Sequence, residues 1–129
     1  MKKKIKKMID IKNYNDENIF AKILRKEIPS EKVFENETVY AFKDINPQAP
    51  IHVLIIPKNS FCSFSDFSKN ADEKFISSFF KSIEQIAELM NLNDGYRLIT
   101  NVGKYGCQEV PHLHFHLLSG KPIGRMVSD

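Results

Sequence analysis

The sequence predicts an α+β protein built on an antiparallel sheet. One stretch with helical periodicity, Ala71 to Met90, is long enough to cover a sheet. Short apolar runs with strand character lie on both sides of it. Turns and loops separate these runs, so the connections read as hairpins and meanders rather than repeated crossovers.

Residues 1–16 are polar and aperiodic and read as a basic, disordered tail, leaving 17–129 as a single domain. A short helix follows from Asn18. Ile19, Phe20, Ile23 and Leu24 share one face, Asp16 or Asn18 can cap it, and Pro29 is the expected stop. Strands are predicted at Lys32 to Glu35 and Val39 to Lys43, with Asn36-Glu37 as the turn between them. The prolines of Asp44-Ile45-Asn46-Pro47-Gln48-Ala49-Pro50 mark a loop, and His52 to Pro57 is a buried strand.

In the long helix Phe75, Phe79, Ile83, Ile86 and Met90 form the apolar stripe, thickened by Ile76, Phe80 and Ala87. Asn93-Asp94-Gly95 is the expected terminator. A strand from Tyr96 to about Asn101, a loop holding Gly103 and Gly106, and a strand from His112 to Leu118 bring the sheet to five strands.

Composition narrows the function classes. Apolar residues make up 42% and charged residues 27%, and ten Phe without Trp point to a core of Phe, Ile, Leu and Val. Five of the nineteen Lys and Arg lie within the first seven residues; the remaining fourteen face sixteen Asp and Glu. The body is thus mildly acidic and has no broad basic face for nucleic acid. The Lys cluster reads as a solvated tail, and Met8 is a possible alternative start. No run is apolar enough for a secretory signal or a bilayer span. Cys62 and Cys107 are unpatterned, which fits a reducing cytoplasm.

Chemistry concentrates in the last strand. Three of the four histidines, His112, His114 and His116, occupy alternate positions. On a strand such side chains share a face about 6.6 Å apart, with Leu113, Phe115 and Leu117 turned to the core. Neutral imidazoles can attack phosphorus, donate to phosphoryl oxygens or fix one another's tautomer. Zinc binding is the main rival reading. The outer pair lies about 13 Å apart on an extended strand, so His52 or Cys107 would have to complete a ligand set. The loop Asn101 to Glu109 reads as a wall on the phosphate side, where Gly103 and Gly106 let backbone N–H groups approach an anion; two such glycines also fit plain turns.

His112-Leu113-His114-Phe115-His116-Leu117-Leu118 resembles the signature of the histidine triad (HIT) superfamily. The resemblance runs from Asn18 onward and is closest to the Hint branch. It includes Asn18 to Ile23 with Lys26 to Pro29, Phe42 to His52, Gly103 to Gly120, and the ending Gly120 to Met126. It implies a homodimer with a continuous ten-stranded sheet. The implied activity is hydrolysis of purine nucleoside phosphoramidates or aminoacyl-adenylates (AMP or GMP derivatives) at the α-phosphorus, with no metal or other cofactor.

By the same resemblance, His114 matches the nucleophile that becomes nucleotidyl-histidine, and His116 the residue contacting the α-phosphate. His112 and His52 match supporting imidazoles, one relaying charge and orientation to the other. Asp44 matches the carboxylate that takes the ribose hydroxyls. Ile19, Phe20, Ile23, Phe42 and Ile45 match the apolar slot for the base. Asn101 and Gln108 match polar groups around the phosphate, with Gly106, Cys107 and Glu109 beside them.

Other roles fit some of these positions: Asp44 a turn, the helix residues plain core contacts, Asn101 a strand end. Glu109 stands where many members carry Ser or Thr, and could protonate an amine only if its surroundings raised its carboxyl. Pro111 replaces a common aromatic. A non-catalytic nucleotide-binding scaffold and a dinucleoside polyphosphate hydrolase are the competing functions. An intact His114 argues against the first and the Hint-like ending against the second.

Overall fold

The computed structural model describes residues 9–127. The tail expectation for residues 1–8 lies outside that range. Residues 9–16 have no regular secondary structure, yet Ile9, Ile11 and Tyr14 are half-buried against the domain.

Among the described residues three helices and five strands follow in the order α1 (Ile19–Leu24), β1 (Lys32–Glu35), β2 (Val39–Lys43), β3 (Ile51–Pro57), α2 (Phe64–Asn70), α3 (Glu73–Leu89), β4 (Arg97–Ile99) and β5 (Phe115–Ser119). The strands form one antiparallel sheet in the order β1-β2-β3-β5-β4. Among the described residues no helix is long and apolar enough to cross a membrane.

The period-two alternation of the strands separates two apolar clusters. On one face Val39, Ala41, Val53, Ile55, Leu113, Phe115 and Leu117 pack with Phe67 of α2 and with Phe79, Ile83 and Ile86 of α3. On the other face Phe42, Leu54 and Ile56 pack with Phe20 and Ile23 of α1. All three histidines of the row belong to this second, α1 face.

Several boundaries differ from the sequence reading. Both predicted helix stops are superseded. α1 ends before Pro29 because Lys26 turns left-handed at φ 64°. The N–H groups of Lys26 and Glu27 then return to the carbonyls of Ile23 and Lys22. α3 ends the same way before Gly95, with Asn91 at φ 59° and the N–H groups of Asn91 and Leu92 bonded to Glu88 and Ala87. Both are Schellman closures built without glycine. α2 was not anticipated; Ser63 caps it by accepting from the Asp66 N–H, and Phe67 is its buried residue.

β4 and β5 are shorter than predicted, and His112 and His114 precede the β5 ladder instead of lying in it. Pro57, at the end of β3, has no N–H to extend the ladder. The Leu113 N–H donates instead to the Phe61 carbonyl, and the Thr100 hydroxyl donates to the His114 carbonyl. The chain stays extended enough that Leu113 still points into the α3 cluster.

Candidate active site

Sheet register assembles the site. In β3, Leu54 lies opposite His116 of β5 and opposite Phe42 of β2. His52, two residues earlier, sits diagonally from His116 on the same face, and His52 Nε2 lies 2.9 Å from His116 Nδ1. One residue beyond β2, the Asp44 N–H donates to the His52 carbonyl, and Asp44 Oδ2 lies 3.4 Å from His52 Nε2. Asp44 also begins a turn, since its Oδ1 accepts the Asn46 N–H at 2.8 Å. The turn reading of Asp44 is thus observed.

Hydrogen-bond partners specify the proton on each ring. The His112 Nε2 faces the Pro57 carbonyl at 3.1 Å, and a carbonyl only accepts, so Nε2 carries the proton. His114 Nδ1 faces the His112 carbonyl at 2.8 Å and must likewise be protonated, which leaves His114 Nε2 with a lone pair. His52 Nδ1 accepts the Gln48 N–H at 3.0 Å, so its proton is on Nε2. That proton is donated to His116 Nδ1, and His116 holds its own proton on Nε2.

The rings are held neutral. Burial pushes His112 down to about 4, against the favourable bond from its ring to Pro57. Burial, reinforced by His114 and His52, pushes His116 down to about 4. Burial also lowers His114 and His52, with the nearby Asp44 charge opposing in both cases. Desolvation outweighs Asp44 at His52, so their contact is one between a carboxylate and a neutral ring rather than an ion pair.

Among the described residues His52 and His112 make separate contacts. His52 acts on His116 through ring nitrogens. His112 acts on His114 through its backbone carbonyl, while its own ring bonds Pro57 and Tyr14. Phe20 of α1 stands edge-on to His114 with ring centroids 4.9 Å apart and to Phe42 at 5.8 Å. Phe20, Ile23 and Phe42 are buried, whereas Ile19 is 44% and Ile45 89% exposed. The five apolar positions thus divide into a packed floor and two open side chains.

The loop after β4 is held from within. The Gly103 N–H donates to Gln108 Oε1, and Gln108 Nε2 donates to the carbonyls of Cys62 and Val110. The Gly106, Cys107 and Gln108 N–H groups donate to Val102, Lys104 and Gly103 carbonyls. These internal bonds fit the turn reading of Gly103 and Gly106. A Cβ on Gly106 would lie 2.6 Å from the Val102 backbone, so only glycine fits there. Asn101 is half-buried just past β4, and Cys107 and Glu109 are exposed. The Glu109 charge acts on both His114 and His116.

Asp44, His52 and His116 offer ligand atoms within 4.8 Å of one another, close enough for one cation. The protonation pattern opposes it. A neutral imidazole binding metal through Nε2 carries its proton on Nδ1 and donates it outward. Here the Nδ1 of His52 accepts from Gln48. These side chains do not fit a resident metal.

Sequence reasoning missed Tyr14, whose hydroxyl lies 2.6 Å from His112 Nδ1. A lone aromatic between Asn13 and Asn15 has no periodicity to signal its contact.

Residues 25–123 match the model of the HIT domain. The purine nucleoside phosphoramidase of Escherichia coli (strain K12) is 45% identical over 114 residues, spanning 88% of this chain and 95% of that protein. A histidine triad protein from Clostridium difficile superposes with a TM-score of 0.80 at 39% identity, covering 88% of this chain and 98% of the other. A HIT family hydrolase from Clostridium thermocellum gives 0.76 at 40% identity, covering 88% and 99%. In its sequence signature, its sheet and its row of neutral imidazoles, this chain belongs to the HIT family.

Proposed function

We propose that the protein hydrolyses purine nucleoside phosphoramidates at the α-phosphorus through a nucleotidyl-His114 intermediate. The observation that carries this is the 2.8 Å contact of His114 Nδ1 with the His112 carbonyl, which leaves Nε2 as a neutral nucleophile. The E. coli relative named a purine nucleoside phosphoramidase supports the same substrate class.

In this mechanism His114 Nε2 attacks phosphorus, and a P–N bond forms as the bond to the leaving amine breaks. The Nε2–H of His116 donates to a phosphoryl oxygen as negative charge builds there. The substrate nitrogen takes a proton from solvent beside the Glu109 carboxylate, which favours the cationic nitrogen, and departs as the neutral amine. Water then attacks the phosphorus and gives its proton back to solvent, and the P–N bond to His114 breaks, which releases the nucleoside monophosphate and restores the Nε2 lone pair. Asp44 accepts the two ribose hydroxyls. Ile19 and Ile45 flank the base over the floor of Phe20, Ile23 and Phe42. Asn101 contacts the phosphate, while Gly106, Cys107 and Gln108 form the wall beside it.

Two copies pair edge to edge into one continuous sheet, whose edge strands among the described residues are β1 and β4. Sedimentation should give twice the mass of one chain.

The decisive experiment is turnover of adenosine phosphoramidate by wild type and His114→Ala. The variant should lose about 10³-fold or more in kcat, because no other group replaces the covalent step. Equal turnover by the two proteins would overturn the proposal.

A further inference from the structure

The His112 ring is fully buried, so neither ring nitrogen can turn to water. With Nε2 donating to Pro57, Nδ1 is an acceptor that needs a donor of its own. Tyr14 supplies it, with its oxygen 2.6 Å from Nδ1 and its ring edge-on at a centroid distance of 5.6 Å. Tyr14 lies outside residues 25–123 that match the HIT domain.

The segment carrying Tyr14 is anchored on both sides. Asp10 Oδ1 accepts the Lys12 and Asn13 N–H groups. Ile11 Cδ1 lies over Gly103, 3.4 Å from where a Cβ would stand. Beyond Tyr14, the Asp16 carbonyl accepts from Arg25.

We propose that Tyr14 is a positioning residue for the nucleophile: its hydroxyl holds His112 in the Nε2–H tautomer, and the His112 carbonyl thereby keeps the Nδ1–H of His114. Without the hydroxyl, Nδ1 of His112 is a buried acceptor with no donor. The ring then rotates or shifts its proton, and either change breaks the bond to Pro57. Residue 112 moves with its ring, and its carbonyl is the acceptor that leaves His114 Nε2 unprotonated. The inference rests on reading His114 as the nucleophile.

Tyr14→Phe keeps the aromatic ring against His112 and removes only the hydroxyl. Imidazole ¹⁵N NMR of the nucleotide-free protein reads the tautomers directly. Wild type should show Nε2–H at His112 and Nδ1–H at His114, and the variant a mixture at both. With adenosine phosphoramidate, kcat should fall about fivefold, the rate equivalent of ~1 kcal/mol, while KM stays within about twofold. An unchanged His114 tautomer or an unchanged kcat would overturn the proposal, and so would a rise in KM alone. Tyr14→Ala removes the ring as well. A loss confined to that variant would assign Tyr14 to packing and overturn the proposal, whereas a loss already present in Tyr14→Phe supports it. If wild type were inert toward the phosphoramidate, the hydrolase reading would fail, and the tautomer comparison would still decide the role of Tyr14.

Discussion

His52 Nε2 and His116 Nδ1 lie 2.9 Å apart, and the Gln48 N–H on the far side of His52 decides which of them donates. A backbone amide in the β2–β3 loop thereby sets which nitrogen of His116 carries its proton. Replacing His52 by Asn removes the donor to His116 and leaves both tautomers of that ring accessible. We expect kcat to fall about tenfold with KM nearly unchanged. Steady-state kinetics checks the split, and imidazole ¹⁵N NMR checks the His116 proton.

Stability should depend on pH through the buried rings. His112 and His116 have an ordinary value of 6.5 and are pushed to about 4 by burial in the folded state. Well above 6.5 both rings are neutral in either state, and the folded protein keeps its full stability. As pH falls toward about 4 the unfolded chain binds protons that the folded chain does not. Stability then drops by about 1.4 kcal/mol per pH unit for each ring. Urea midpoints at about pH 7.5 and about pH 4.5 test this; a midpoint that rises on acidification would contradict it.

Gly106→Ala should destabilise the protein by about 1–3 kcal/mol, because the added methyl meets the Val102 backbone and not a side chain that can move. The loop would have to open, carrying Cys107 and Glu109 away from the rings. Thermal melting reads the stability, and activity should fall with it even below the melting range.

The two cysteines should differ sharply toward a thiol reagent. Cys107 is exposed on the loop after β4. Cys62 is buried, and burial with the Asp66 carboxylate raises its thiol to about 11. One thiol per native chain should react at neutral pH, with the second appearing only on unfolding. AMP should slow the first reaction if Cys107 borders the phosphate site; equal rates with and without AMP would remove it from that wall.

Dialysis against a strong chelator should leave turnover unchanged, given the Nδ1 acceptor role of His52. A loss restored by zinc would require a different protonation of that ring.

The sheet and its working face were legible because alternation is local. Spacing alone turns Leu113, Phe115 and Leu117 away from the histidines, and the structure packs those three together. The long helix was legible from its Phe and Ile stripe. Strand ends were not, because where a ladder stops depends on the partner strand: β5 begins at Phe115 since Pro57 cannot donate opposite Leu113. The left-handed residue of α1 is Lys26, a type that gives no such signal. The pairing of His52 with His116 follows from the register of β3 on β5, which no single segment encodes. The Gln108 amide illustrates the same limit, since three bonds within the protein give it a structural task that its residue type does not announce.

Phe115 and His116 are neighbours in β5 facing opposite sides, one among the phenylalanines beneath α3 and the other beside His52. A slip of a single residue between β5 and β3 would exchange those faces, sinking imidazoles into oil and turning aromatic rings toward the nucleotide. Such an exchange would take the imidazole row off the α1 face altogether. Turnover is therefore a readout of correct strand alignment, and a misfolded fraction would register as missing active sites, not as slower ones.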